Sequence, residues 1–476
     1  MIFNSLAYLI FFPVVITCYF ILPFKLRWFF LLAASYYFFM SWKIDLIYLI
    51  LLTTVISYIC AILIERTENI ERKRIFLTAA LVSCLGVLFF FKYFNFLSLS
   101  FSNFLNLFGT GMPGYTLDLI LPIGISFYTF QTLSYVIDVY RGKVMAERHF
   151  GYYALFVSFF PQLVAGPIER PENLLPQLRK AHKPDALEFN EGLRIIIRGF
   201  FKKIIVADLS AGFVNSVFNY PEDAVGVTVI TASLLFAVQI YGDFSGYTDI
   251  AVGCARMMGI KMTQNFNLPY SAKSIREFWS RWHISLSSWF RDYLYIPLGG
   301  NRCSAPRHLA NIFTVFLVSG LWHGAEWTFV IWGALHGLYQ IIGYLTRNIR
   351  ERLCYLFNIN KNGGFAGVWQ SFFTFILVLF AWIFFRANNV HELGILLDRL
   401  IFSWDGSALF SSLNNIGYGA VQIATTLLSV HIMRILDRSP AVLSNSRYIL
   451  AIWVIAAAWL ILLTGDGAGE FIYFQF

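Results

Sequence analysis

Long apolar segments joined by short polar loops make up most of the chain. Segments that reach or approach the roughly 20 residues needed to cross a bilayer as a helix predict membrane spans. They lie at 6–23, 28–42, 46–64, 76–94, 119–139, 198–218, 224–241, 308–322, 327–345, 368–386, 416–435 and 447–464. Several are short, which indicates tilted helices, local thinning of the bilayer or helices that end inside the protein.

The segment 151–165 departs from this pattern, since Pro161 lies inside it and Gly166 and Pro167 follow it. We interpret it as a re-entrant or interfacial segment. The predicted fold class is therefore all-α, a polytopic membrane helical bundle with about 11–13 membrane segments, some of them re-entrant. The longest central stretch without a convincing span is 242–307, which is rich in Arg, Trp, Tyr and Asp.

The composition is typical of an integral membrane protein. Of its 476 residues, 58% are hydrophobic and 13% are charged, whereas a soluble globular protein carries roughly 25% charged residues. The net charge is +9, and the basic residues occupy short loops. Membrane proteins carry an excess of Lys and Arg in their cytosolic loops, and this rule explains the charge better than nucleic-acid binding does. With these loops in the cytosol, we expect a multi-pass protein of the cell inner (cytoplasmic) membrane whose termini are both extracytoplasmic.

The six cysteines form no CxxC pair, so the sequence indicates neither a disulfide framework nor a metal site. Phosphate-loop and Ser-His-Asp signatures are also missing from the sequence. We therefore expect no bound cofactor, and the chemistry has to come from other polar side chains.

His323 is the first candidate for such chemistry. Polar groups at membrane depth are costly and tend to be functional, and they are densest between residues 241 and 337. His323 follows Trp322 and precedes Gly324 at the junction of two apolar segments. A neutral imidazole there can take a proton from a hydroxyl that attacks a thioester. The structural alternative is a histidine bonded to a backbone carbonyl inside the bundle.

The candidates for tunnel-lining or supporting roles are Trp322, which precedes His323, and the polar residues His336 and Asp243. His336 comes thirteen residues after His323, which on one continuous helix is about 20 Å further along and on another face. Asp243 lies in an apolar context beside Ser245. Its carboxylate can orient a histidine, pair with a cation or line a water-filled path, and buried structural pairing is as good an interpretation.

His283 lies among alternating arginines and aromatic residues. The arginines are Arg276, Arg281 and Arg291, and the aromatic residues are Phe278, Trp279, Trp282, Trp289 and Phe290. A basic, aromatic, cytosolic lip suits an anionic, adenine-bearing thioester such as acetyl-CoA, through charge pairing and stacking. An interfacial amphipathic helix anchored at the lipid headgroups explains the same spacing equally well.

The C-terminal residues Phe471–Phe476 form an aromatic tail that contains Tyr473. On the outer side of the membrane, the Tyr473 phenol can enter a pore mouth and carry an acyl group. The alternative is an aromatic anchor at the membrane interface.

Several long motifs resemble the membrane-bound O-acyltransferase family, and within it the bacterial alginate O-acetyltransferase branch. They are LPIGISFYTFQTLSYVIDVYRG (121–142), FPQLVAGPIERP (160–171), YGDFSGYTDIAVG (241–253), NFNLPYSAKSIREFWSRWHISLSSWFRDYLYIPLGGNR (265–302), LWHGAEWTFVIWGALHG (321–337) and WIFFRAN (382–388). The resemblance implies an acyltransferase core at 119–390, between N-terminal transmembrane helices at 1–118 and C-terminal helices with the aromatic tail at 391–476.

The resemblance also implies a transmembrane tunnel in which a cytosolic thioester meets an outer acceptor. His323 matches the essential histidine of the family and His283 its second tunnel position, while the tail matches an FxYxxF signature whose tyrosine, here Tyr473, accepts the acyl group. We therefore expect O-acetylation of an extracytoplasmic polysaccharide, as in exopolysaccharide biosynthesis, completed by an extracytoplasmic SGNH-hydrolase-like partner.

Other functions remain open at this point. D-alanyl transfer and peptidoglycan O-acyl transfer occur within the same family. From other classes, a transporter of lipid-linked sugars would share the many spans and the polar midsection, and a scaffold for an outer enzyme would need no reactive histidine.

Overall fold

We describe the fold from a computed structural model, which defines residue 1 and residues 3–356, 363–406 and 420–438. Within these ranges every regular element is helical. The α-helices, labelled α1 to α20 in chain order, are Leu6–Ile21, Phe24–Met40, Ile47–Arg66, Ile70–Leu88, Phe94–Asn106, Ile125–Tyr140, Phe150–Ser158, Phe160–Leu163, Pro171–Leu178, Ala186–Phe200, Asp208–Phe218, Gly226–Met257, Ile275–Arg281, Ile284–Phe290, Ala305–His323, Trp327–Leu345, Arg347–Leu356, Gly364–Arg386, Val390–Phe402 and Ala420–Arg438.

Five helical segments are long and apolar enough to cross a membrane, and α1 is a shorter apolar helix. The five are Ile44–Arg66, Ile70–Asn106, Gly226–Met257, Trp327–Leu345 and Gly364–Arg386. The predicted fold class, a helical membrane bundle, is confirmed. The predicted span at 447–464 lies outside the described residues.

The predicted segment 151–165 does not form one helix. It divides at Phe159 into α7 and α8, and Pro161 occupies the first turn of α8, where a missing backbone N–H costs little. Most side chains of this segment are buried.

The predicted end of one span, at residue 241, is wrong. The span placed at 224–241 continues to Met257 as the 32-residue helix α12, so the polar stretch after residue 241 begins inside a helix. Hydropathy ended the span early because glycines and polar residues follow Tyr241. Tertiary packing explains them: a Cβ on Gly242 would come within 3.0 Å of the Lys202 carbonyl oxygen, and one on Gly246 within 2.7 Å of the Gly199 oxygen. These glycines let two helical backbones approach closely.

The chain forms two compact units. One unit contains Met1–Ile197 and Tyr247–Thr263, and the other contains Arg198–Gly246 and the described chain from Gln264 onward. In the first unit, Thr263 donates its backbone N–H to the buried Glu169 carboxylate. The second unit has a core of aromatic rings, among them the fully buried Trp282, Trp332 and Trp382. All the described histidine candidates belong to this second unit.

Candidate active site

His323 is the last residue of α15, where the chain turns back into α16. The two helices pack through glycines: a Cβ on Gly320 would overlap the carbonyl oxygen of Phe329, and a Cβ on Gly333 would overlap that of Phe316. Gly324 ends α15 in an extended conformation, and a Cβ there would collide with the Phe329 ring. Three glycines therefore hold the helical hairpin tightly enough to fix the position of His323.

The His323 imidazole is 3% exposed and lies in an aromatic box. Ring centroids of Trp322, Trp332 and Phe385 lie 4.9, 5.0 and 5.4 Å from its own, each in an edge-to-face arrangement. Since water is largely excluded from such a surrounding, electrostatic interactions of a reacting group are stronger there than in solution.

His336 also contacts Trp332. The rings of Trp332 and His336 are 4.9 Å apart, and Trp279 Nε1 donates a hydrogen bond of 3.2 Å to His336 Nδ1. The separation of about 20 Å expected from the sequence assumes one continuous helix between His323 and His336. The break at Gly324 removes that assumption, so both imidazoles contact the same indole.

His283 precedes α14 and has a left-handed backbone, with φ of 44°. Asn265 holds this turn: its carbonyl accepts the Ile284 N–H at 3.0 Å and its Oδ1 accepts the Ser285 N–H at 3.1 Å. The His283 ring is fully buried, 4.7 Å from that of Phe244 and 5.9 Å from that of Trp322. Burial lowers the pKa of His283 to about 3, so the ring is neutral at physiological pH.

The structure thus brings four predicted site residues into one row of rings. In order along the row they are His283, Trp322, His323, Trp332 and His336. Trp332 is the member that sequence reasoning missed. Its signal was present but weak, since it lies four residues before His336 and an α-helix returns to the same face after about four residues.

Asp243 takes part in a buried ion cluster. Its Oδ1 lies 2.8 Å from Lys203 Nζ, which is also 3.0 Å from Asp208. The neighbouring Lys202 lies 2.6 Å from Asp437. Sequence reasoning also missed both lysines, although two adjacent cations inside an apolar stretch are a signal of buried pairing. They lie in a π-helical segment, Phe201–Ala207, a kind of helical distortion that is frequent at functional sites.

The three arginines of the predicted donor lip differ in their surroundings. Arg281 pairs with Glu277 at 2.6 Å and also donates to Ser271. Arg291 pairs with its neighbour Asp292 at 2.8 Å. Arg276 is exposed. The helix that carries two of them is capped at its start, because Ser274 accepts the Glu277 N–H and Glu277 accepts the N–H of Lys273, the residue before the cap.

Two other expectations concern a metal site and the tail. In the part of the chain that the structure describes, no cluster of three or more His, Cys, Asp or Glu side chains is arranged to hold a metal ion. Tyr473 lies outside the described residues.

Comparisons with known proteins all find acyltransferases that this chain resembles. Residues 147–386 match the model of the membrane-bound O-acyltransferase family. The chain is 39% identical over 435 residues to the "Probable alginate O-acetylase" of Azotobacter vinelandii, covering 90% of this chain and 83% of that protein. It is 37% identical over 393 residues to the "Peptidoglycan O-acetyltransferase" of Helicobacter pylori, covering 76% and 71%. A "Teichoic acid D-alanyltransferase" of Bacillus subtilis is 31% identical over 238 residues, covering 46% and 58%.

Proposed function

Because the chain belongs to the membrane-bound O-acyltransferase family, we propose that it is an O-acetyltransferase that transfers an acetyl group from a cytosolic thioester to an extracytoplasmic polysaccharide. The observation that carries this proposal is the buried His323, fixed at a helix break inside the matched segment 147–386 and enclosed by three aromatic rings. A transporter of lipid-linked sugars or a scaffold has no need for a base in this position.

In the proposed reaction His323 acts as general base. It takes the proton of the attacking hydroxyl as the oxygen forms a bond to the thioester carbonyl carbon. The tetrahedral intermediate then collapses, the carbon–sulfur bond breaks, and the thiolate takes the proton back from the imidazolium. Base assistance of this kind contributes roughly 10²–10⁴ to the rate. His283, one indole away, stays neutral and lines the path.

We assign acetyl-CoA as the donor, reaching the site from the cytosolic side, where Arg276, Arg281 and Arg291 contact its phosphates. Arg281 and Arg291 already pair with carboxylates, which leaves the exposed Arg276 as the arginine with the most free charge. On the outer side, Tyr473 receives the acetyl group and an SGNH-hydrolase-like partner passes it to the glycan. In this proposal the chain lies in the cell inner membrane with both termini outside.

The acceptor glycan is assigned from the relatives. The higher coverage of the alginate O-acetylase favours an exopolysaccharide of the alginate kind. Peptidoglycan is the second candidate, since the Helicobacter protein is 37% identical over 76% of this chain. Acetyl analysis of the exopolysaccharide and of the cell wall from a deletion strain separates the two, because only the true acceptor loses ester-bound acetate.

The proposed function is tested with membranes that contain the full chain, its SGNH-hydrolase-like partner and the glycan, supplied with radiolabelled acetyl-CoA. Label should enter the glycan fraction, and His323→Ala should lower the rate at least about 10²-fold. His308→Gln is the matched control, because His308 is a buried histidine on the same helix whose Nδ1 contacts the Tyr295 hydroxyl, an interaction that glutamine can replace. If His323→Ala and His308→Gln transfer acetyl at the same rate, His323 is not the base.

A further inference from the structure

One face of α16 carries three buried polar side chains at consecutive turns. Thr328, Trp332 and His336 are spaced four residues apart, so they lie on the same side of the helix. Each is at most 1% exposed. In each, one polar atom has no hydrogen-bond partner within the described residues: Thr328 Oγ1, Trp332 Nε1 and His336 Nε2.

The tautomer of His336 follows from its neighbour. An indole nitrogen is only a donor, so Nδ1 of His336 has to accept the hydrogen bond from Trp279 and carries no proton. The ring proton is therefore on Nε2. Both Nε2 of His336 and Nε1 of Trp332 are then N–H donors that point into the protein without an acceptor among the described residues.

Unsatisfied buried donors of this kind are costly. Leaving one buried donor without an acceptor costs about 1–3 kcal/mol. Two such N–H groups on adjacent turns of one helix are therefore expected to meet an acceptor when the site is occupied. The ligand atom must be an acceptor oxygen, and it must lie beside the indole that also contacts His323.

We propose that Trp332 Nε1–H and His336 Nε2–H form the oxyanion hole of the acyl transfer. Both donate to the carbonyl oxygen of the thioester. As the acceptor hydroxyl loses its proton to His323 and bonds to the carbonyl carbon, the carbonyl oxygen becomes an oxyanion and the two hydrogen bonds strengthen. The carbon–sulfur bond then breaks, the carbonyl re-forms, and the thiolate is protonated by His323. This inference rests on the proposed function.

The arrangement has the features that such a site requires. The donors are fixed before the reaction, because the Trp332 ring is held by His323 and Phe385, and the His336 ring by Trp279. Neither group can accept a proton from the nucleophile at the donating nitrogen. The base and the oxyanion donors are thus separate groups on the two helices of the α15–α16 hairpin, and the His323 ring contacts the Trp332 ring.

The first test removes one N–H and keeps the ring. Trp332→Phe should lower kcat about 10²–10³-fold, the usual loss for one oxyanion donor, with KM for acetyl-CoA changed only a few-fold. Trp382→Phe is the matched control, because Trp382 is equally buried but its Nε1 already donates to the Tyr270 hydroxyl at 3.2 Å. For His336, His336→Gln keeps an N–H donor and should retain more activity than His336→Leu.

A spectroscopic measurement separates donation from packing. In a His323→Ala background, acetyl-CoA labelled with ¹³C at the carbonyl binds without turnover, and hydrogen bonds to the oxygen lower its infrared stretching frequency. Adding Trp332→Phe should shift this frequency back toward that of the free thioester, while adding Trp382→Phe should not. An unshifted frequency together with equal kcat values for Trp332→Phe and Trp382→Phe would overturn the oxyanion hole. A fully active His323→Ala would instead overturn the proposed function itself.

Discussion

The contact between Gly320 and Gly333 allows a sharp test of how the hairpin positions its proposed catalytic groups. Gly333→Ala places a methyl group against the carbonyl oxygen of Phe316 and 3.2 Å from the Gly320 Cα. Ordinary carbon–oxygen contacts lie at about 3.3 Å or more. The backbone oxygen cannot turn away as a side chain would, so α15 and α16 have to separate locally by on the order of 1 Å.

The magnitude follows from two opposing effects. Overpacking of this kind costs about 1–3 kcal/mol, while alanine gains about 1 kcal/mol over glycine in helix propensity. Gly333→Ala should therefore destabilise by up to about 2 kcal/mol. The effect on catalysis should be larger, because a shift of about 1 Å between reacting groups can cost about 10² in rate, and Trp332 precedes the substituted residue.

Gly343→Ala is the matched control. Gly343 lies on the same helix, and a Cβ there meets nothing within 4 Å. This variant should be as stable as the parent, or more stable by about 0.5–1 kcal/mol, and fully active. Thermal unfolding in detergent and acetyl transfer by the folded fraction measure the two effects. Equal rates for Gly333→Ala and Gly343→Ala would refute the reasoning that glycine packing sets the position of the site.

Two further predictions concern stability. Lys203→Met removes the cation that Asp243 and Asp208 both contact, and should lower the free energy of unfolding by about 3–5 kcal/mol. Adding Asp243→Asn should recover part of this loss. The control Arg347→Met breaks an exposed pair with Glu351 and should lower the free energy of unfolding by less than about 1 kcal/mol. Equal unfolding midpoints for Lys203→Met and Arg347→Met would contradict this. The pKa of His283 is about 3 in the folded chain and about 6.5 in the unfolded chain. Because the unfolded chain therefore binds the proton first as the pH falls, the free energy of unfolding decreases below about pH 6.5, by up to about 1.4 kcal/mol per pH unit. His283→Gln should flatten this dependence between pH 7.5 and 5.5 in thermal unfolding, and an unchanged slope would show that His283 does not cause it.

Parts of the site could be predicted from local sequence alone. His323, His283 and Trp322 could be proposed as candidates because polar groups in an apolar context and long family motifs are local properties of the sequence. Trp332 was not identified, because one tryptophan in an aromatic helix looks like any other. Its proposed role depends on an N–H that has no acceptor among the described residues, and only the surrounding side chains define that.

The C-terminal end of α12 is a second case in which local sequence could not predict the structure. Hydropathy ended this span near Tyr241, because Gly242, Asp243 and Gly246 lower the apolar average. In the folded chain the glycines allow close contact with residues 199–202, and Asp243 is neutralised by Lys203. A window average treats each residue as if it faced lipid, so it cannot detect that a distant segment supplies the partner.

By itself, the sequence determined that the chain is a helical membrane protein, where the five long apolar helices of the described chain lie and which histidines are candidates for chemistry, since the hydrophobic pattern and the motifs are carried by neighbouring residues. Only the tertiary structure decided that Gly324 interrupts the helix and that His323 and His336 contact one indole. It also decided that Lys203 forms an ion pair with Asp243. These relations join residues that are far apart in the chain, and the free energy that fixes them comes from close packing and buried pairing in three dimensions.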